Sequence, residues 1–350
     1  MTALTFNLDA ITEFLMGLLN TPSPTGYHRE AIAYVQQAFG AIPALTQTVT
    51  PKGALLLTLR GRSAAAPRAL TAHVDTLGAM VKEIKGSGRL MLTAIGGLSW
   101  PSVENEGVRV RTFSDQRYRG TLVPVNGGAH VNNKWSEQAR TADMMEVRLD
   151  ERVTSAAETR ALGIEVGDFV FFDPRVEVSP SGFIRSRHLD DKAGVAAIFG
   201  AVLALHEAGL QPAQDTSVLI SNYEEVGHGG ADSLPADLAE YLVVDMAALG
   251  NGQQGDEFSV TVCIKDSTGP YHFEMNDKLR RLCQQHQIAH RVDIYPYYGS
   301  DGSVYWQAGG RARVGLIGPG VDCSHGYERT HQDSLRQSAH LLARYLLDDE

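Results

Sequence analysis

The chain has 350 residues, 43% of them apolar and 21% charged, with a formal net charge of −10. That length favours two domains with a sizeable core; the acidic balance, without any basic cluster, excludes a nucleic-acid surface, and no apolar run approaches a membrane span. Three cysteines (Cys263, Cys283, Cys323) without Cys-x-x-Cys spacing point to a reducing compartment, and the start Met1–Asp9 lacks the basic segment of a secretory signal, so a cytoplasmic protein is expected.

Leu8, Ile11, Leu15, Leu18 and Leu19 fall at helical spacing and predict an opening amphipathic helix. Thr21-Pro-Ser-Pro-Thr-Gly26 ends it, because two prolines and a glycine cannot continue a helix. A second helix over about 28–39 is followed by strands at 54–60 and 68–73. From 77 to 180 the helical periodicity fades and short alternating runs take over, such as Gly107-Val-Arg-Val-Arg-Thr112, Met145-Glu-Val-Arg-Leu149 and Asp168-Phe-Val-Phe-Phe172. This texture predicts a small β-rich domain over 77–180, inserted into a domain made of 1–76 and 181–350. After Arg185 a long apolar helix is expected over 195–208, then a strand leading into Glu224 and Glu225 and a short helix near 235–240. Strands at 241–245, 259–265, 292–295 and 312–317 alternate with helices at 276–285, after Gly299 and at 332–347. Strands alternating with helices imply an α/β fold: a mainly parallel sheet with helices on both faces.

The chemistry-bearing residues gather at the ends of these elements. Ser217-Val-Leu-Ile220 reads as a buried strand that ends in Glu224-Glu225, and alternation would turn the two carboxylates to different sides. One could then hold a metal while the other faces a bound water. A bare Glu-Glu is most often a solvated pair opening a loop. At a buried strand end, however, two like charges are costly unless a cation neutralises them. His73 and Asp75 follow a strand, Asp190 precedes a helix, Asp245 ends a strand and His325 comes just after another. Individually each has a plainer reading: His-x-Asp is frequent by chance, Asp190 could be a helix N-cap and Asp245 a turn former. Together they have a reason to converge, because ligands of α/β sheets gather outside the carboxyl ends of the strands. Imidazole and carboxylate are ordinary zinc ligands. Five of them with one carboxylate shared, plus a separate base, are what a pair of ions ~3.5–4 Å apart requires.

At this point the chain resembles a known family, the glutamyl and deblocking aminopeptidases that build tetrahedral particles, among the co-catalytic zinc metallopeptidases. The resemblance runs over most of the chain. It rests on Thr21-Pro-Ser-Pro-Thr-Gly-Tyr27, Thr71-Ala-His-Val-Asp-Thr-Leu-Gly78, Leu162-Gly-Ile-Glu-Val-Gly-Asp-Phe-Val170, Ser186-Arg-His-Leu-Asp-Asp-Lys-Ala-Gly194, Glu224-Glu-Val-Gly227, Val244-Asp245 and Ser300-Asp-Gly302. It implies His73 as a ligand to one metal with Asp75 supporting its imidazole, and Asp190 bridging both metals. Glu224 becomes the general base, Glu225 a ligand to one metal and Asp245 a ligand to the other. The last ligand falls on His325, 24 residues after Asp301, with His331 as the alternative. There the chain departs from the family's Arg-Tyr-x-His-Ser: it reads Gly320-Val-Asp-Cys-Ser-His325-Gly-Tyr-Glu-Arg-Thr-His331, which adds Cys323 and Glu328. Thr76 also replaces the family's usual acidic residue. The Ser186-Arg-His-Leu-Asp-Asp-Lys192 and Ser324-His-Gly-Tyr-Glu-Arg-Thr-His331 versions are similar to a branch associated with bacterial osmoprotectant-dipeptide gene systems, an association that assigns no substrate.

The resemblance implies a cytoplasmic aminopeptidase that releases amino-terminal residues from short peptides. Its cofactors would be two divalent ions per chain: zinc, with cobalt or manganese as alternatives. It also implies a homo-oligomer built from dimers through the inserted domain, up to a dodecamer; the charge and the lack of a long apolar run leave no nucleic-acid or membrane partner expected. Two other classes stay open: an amidase or deacylase acting on a small N-acyl or dipeptide metabolite, and a non-enzymatic scaffold. A carbohydrate hydrolase using Glu224 and Glu225 as its acid pair fails on geometry, because adjacent residues on one strand point to opposite sides and do not flank one glycosidic bond.

Overall fold

The computed structural model describes residues 4–43 and 45–350; the first three residues of the amino-terminal stretch read above, and Ala44, lie outside them. The chain divides into two compact units, Met1–Asp75 with Arg175–Glu350, and Thr76–Pro174. The second boundary falls before the expected 180. Glu177–Val178 pairs with Phe183–Ser186, which pairs in turn with Glu328–His331. Backbone hydrogen bonds therefore tie the residues after Pro174 to the larger unit.

In the larger unit one sheet runs in the order Leu45–Val49, Leu55–Leu59, Gln214–Ser221, Ser63–His73, Glu240–Val244, Arg313–Val321, Val260–Lys265, His290–Ile294. The four central strands are mutually parallel, and Leu55–Leu59 and Val260–Lys265 flank them antiparallel. The α/β fold with a mainly parallel sheet is thus as expected. Strands buried on both faces need a core on each side. Along Glu240–Val244, Leu242 and Val244 enter one core while Tyr241 and Val243 enter the other, because successive side chains alternate. Helices Leu8–Asn20, Leu189–Glu207 and Gln332–Leu347 cover the first face, with Phe14 stacked on Phe199 at 4.4 Å. Helix Asp301–Gln307 brings Tyr305 to the second. Leu189–Glu207 is buried on nearly every side, which explains its almost unbroken apolar run.

Two local expectations are corrected. No helix forms at 235–240: Ala239 donates its N–H to Pro67 O at 2.8 Å, and Glu240 is already the first residue of a strand. A single turn containing proline has too few bonds to offset helix nucleation. Nor does the strand reach Glu224. It ends at Ser221; Tyr223 turns left-handed (φ 77°), and Glu224–Val226 form a short 3-10 turn. The strand-alternation argument for the two glutamates, and the objection to a carbohydrate hydrolase built on it, therefore fall away.

Glu240 also anchors this sheet electrostatically. Its carboxylate lies 3.2 Å from Arg68 Nε, 3.1 Å from Lys278 Nζ and 2.9 Å from Arg313 Nη2, and the Arg68 and Lys278 side chains are almost wholly buried. Removing one partner of a buried ion pair strands the others. Glu240→Ala is accordingly expected to lower unfolding stability by about 3 kcal/mol, read as a lower urea midpoint at unchanged slope. A change below about 0.5 kcal/mol would mean that the backbone carbonyls around Arg68 suffice on their own.

The smaller unit is a closed barrel in the order Gly78–Ile84, Leu90–Ile95, Met145–Leu149, Arg117–Pro124, Gly107–Arg111, Phe169–Phe172, with every pairing antiparallel. Alternate residues such as Val81, Leu92, Val108, Val110, Leu122, Val147 and Val170 fill its interior. Closure leaves no open sheet edge. Among the described residues, no helix is long and apolar enough to cross a membrane.

Candidate active site

His73 ends the strand Ser63–His73 and is 2% exposed. Its Nδ1 meets the backbone oxygen of Asp75 at 2.9 Å, which leaves Nε2 for the site. Nε2 lies 3.1 Å from Asp190 Oδ1, 3.7 Å from Glu224 Oε2 and 4.0 Å from Asp245 Oδ1. The other Asp190 oxygen lies 3.6 Å from His325 Nε2, and Glu225 Oε2 lies 3.6 Å from the same nitrogen. Two groups result, each with ligand atoms within 4.8 Å of one another: His73, Asp190 and Asp245, and Asp190, Glu225 and His325. Asp190 belongs to both. Glu224 belongs to neither but faces the same space.

Each residue is held by the local fold. The Asp75 carboxylate does not bond the imidazole; its Oδ1 is 3.7 Å from the ring, and the support comes from its backbone oxygen. The carboxylate instead accepts Thr25 Oγ1 at 2.6 Å and the N–H groups of Glu224 and Glu225 at 3.2 and 3.3 Å, fixing the 3-10 turn that carries both glutamates. Ser23 Oγ donates to Val74 O at 2.7 Å. The Pro-Ser-Pro-Thr segment thus braces the His73–Asp75 turn. Asp245 follows strand Glu240–Val244 and donates its N–H to Ile317 O at 2.9 Å. A Cβ on Gly318 would lie 1.7 Å from the Asp245 backbone oxygen, so only glycine lets the two chains approach there.

Sequence reasoning missed two acids that position the others. Asp191 accepts the His73 N–H at 3.3 Å and the Gly194 N–H at 3.1 Å. Glu328, noted above only as a departure, is 2% exposed and accepts Asp190 N–H at 3.1 Å and His325 N–H at 3.0 Å. One carboxylate thereby ties together the segments carrying Asp190 and His325. The available signals were the second aspartate of the Asp-Asp pair and a glutamate three residues after the histidine. His331 lies elsewhere: it caps the last helix through Nδ1, and its Nε2 meets Ser181 O at 2.8 Å.

The charges are unbalanced. Burial pushes the Glu225 and Asp245 carboxyls well above the usual range, with Asp190 repelling both. Burial likewise raises Glu224, joined by Asp245, Asp301 and Glu225 and opposed by His73. Burial would depress His73, but Glu224, Asp190, Asp245 and Asp75 outweigh it and hold the imidazole well above its ordinary value. Burial also works against ionised Asp190, yet His73 and His325 keep it below the usual range. No lysine or arginine lines the adjoining cavity of about 820 Å³. Buried carboxylates short of positive charge, with imidazoles at the same point, fit divalent cations.

An α/β sheet that gathers carboxylates and imidazoles at its strand ends has groups that could hold divalent ions, as metal-dependent hydrolases require. The chain belongs to the M42 glutamyl aminopeptidase family, which it matches over residues 53–341. It is 46% identical to the "Putative aminopeptidase YhfE" of Bacillus subtilis (strain 168), over 95% of this chain and 96% of that one. Among solved structures it superposes on a TET aminopeptidase from the archaeon Thaumarchaeota archaeon SCGC AB-539-E09 with TM-score 0.86 and 18% identity, each chain 96% covered. It also superposes on PhTET1-12s, a dodecamer, with TM-score 0.81 and 17% identity over 96% of this chain and 98% of that one. At those identities the structural matches speak for the fold.

Proposed function

We propose that the protein is a two-metal aminopeptidase that removes amino-terminal residues from short peptides. The observation carrying this reading is the pair of ligand groups joined through Asp190, with Glu224 beside them as the carboxylate left over. His73, Asp190 and Asp245 would hold one ion and Asp190, Glu225 and His325 the other, with zinc the first choice and cobalt or manganese alternatives. Bound there, the ions would supply Lewis acidity, making water acidic near neutral pH and polarising the scissile carbonyl. Glu224 takes the proton of the attacking water and holds it while the C–N bond breaks. It then passes that proton to the leaving amine, so the carboxylate is regenerated. His73 stays fixed throughout by the Asp75 carbonyl, and Asp75 keeps the Glu224 backbone in place. By analogy with the dodecameric PhTET1-12s, the chain would assemble into a homo-oligomer of dimers joined through the barrel unit, with peptides as its partners.

The test is elemental analysis of the purified protein, followed by release of amino acids from unblocked and N-blocked aminoacyl substrates. Two ions per chain are expected, with cleavage of the unblocked series alone, loss of activity in chelator and recovery on adding metal. Cleavage confined to N-blocked substrates would transfer the site to deacylation. Absence of metal after reconstitution would overturn the ligand set.

A further inference from the structure

Tyr298 shares the cavity beside the ligand groups with Asp190, Glu224, Glu225, Asp245 and His325. Its ring is held in place: it packs on Tyr295 with ring centroids 5.3 Å apart, and the Tyr298 backbone oxygen accepts the Ser267 N–H at 2.9 Å. The hydroxyl at the end of that ring is buried and meets no hydrogen-bond partner in good geometry among the described residues, although the Asp245 carboxylate stands beside it. Leaving a buried hydroxyl unpaired costs about 1–3 kcal/mol. Buried polar groups are otherwise almost always paired, so in a cavity wall the natural partner is a ligand. Tyr295 also carries a buried, unpaired hydroxyl, but the carboxylate beside it is Asp293, which belongs to neither ligand group.

Hydrolysis of an amide calls for such a donor. As water attacks, an oxygen–carbon bond forms, the carbonyl π pair moves onto the carbonyl oxygen, and negative charge develops there. No lysine or arginine lines the cavity to meet that charge. A phenol keeps its proton at neutral pH and can donate it in a hydrogen bond. A donor fixed in place before the charge appears stabilises the transition state more than the ground state. We propose that Tyr298 is a further catalytic residue, whose hydroxyl donates a hydrogen bond to the oxyanion formed from the scissile carbonyl. The proton is shared and not transferred. When the C–N bond breaks, the electron pair returns to re-form the carbonyl, and the amine takes its proton from Glu224. This rests on the aminopeptidase reading above and adds a residue to it.

The experiment compares wild type and Tyr298→Phe, both metal-loaded, on the unblocked aminoacyl p-nitroanilide that the wild type cleaves best. It adds inhibition by the phosphinic analogue of that residue, whose tetrahedral phosphorus imitates the attacked carbonyl, and elemental analysis of both preparations. Phenylalanine keeps the ring and its packing and removes only the hydroxyl. The expected result is a fall in kcat of about 100-fold or more with KM near wild type, the effect of losing one oxyanion donor. Affinity for the phosphinic analogue should fall by a similar factor, with ion content unchanged. An unchanged kcat would overturn the inference and leave the aminopeptidase intact. So would a rise in KM alone, which would assign the hydroxyl to ground-state binding. Loss of ions, or a variant that does not fold, would reduce the hydroxyl to steadying Asp245 or the fold and would overturn it equally. A wild type that cleaves no unblocked substrate would overturn the aminopeptidase reading itself, and this inference with it.

Discussion

Glu224→Gln is expected to lower kcat by about 10²–10⁴-fold, the span that a positioned general base contributes, while metal content and melting temperature stay near wild type. The substitution keeps shape and removes only the ability to take a proton. Glu224 is not in either ligand group, and its backbone anchor to Asp75 runs through the main-chain N–H, which glutamine retains. Measurement pairs steady-state rates on an unblocked substrate with elemental analysis of the same preparation. Full activity would remove Glu224 from the chemistry. Lost metal with lost activity would make it a ligand instead.

Asp190→Ala is expected to do more. It withdraws the carboxylate common to both groups, so occupancy of both ions should fall. Partners that merely orient a metal ligand cost 10–100-fold when mutated; a shared ligand should cost at least about 100-fold in activity. The informative contrast is His325→Ala, which touches the second group only. Elemental analysis should find both ions depleted in the first variant and one retained in the second. Equal depletion in the two would mean that the groups do not fill separately.

The candidate donors were legible in the sequence where they sit at strand ends, because strand ends are what apolar runs mark best. His73 after Leu70–Ala72 and Asp245 after Leu242–Val244 follow directly from that pattern. The turn carrying Glu224 did not, because nothing in Ser221-Asn-Tyr223 announces a left-handed tyrosine. His325 was harder than His73, since its loop bends through positive φ at both Cys323 and His325 and leaves no periodic signal. Glu328 and Asp191 act through backbone N–H groups distant in sequence, and that kind of contact has no local signature. The boundary at Pro174 depended on pairing between Phe183–Ser186 and Glu328–His331, equally invisible along the chain.

Strand Arg313–Val321 lies between Glu240–Val244 and Val260–Lys265, though it is synthesised after both. A nascent chain halted before Arg313 therefore exposes two raw sheet edges, the situation in which strands recruit strangers. The barrel of Thr76–Pro174 closes on partners made within one stretch of translation and can be finished early. The larger unit must wait for nearly its last strand. On the ribosome, the insert can be complete once Pro174 has emerged while the host waits for Arg313–Val321, so the sheet edges exposed in that interval belong to the host.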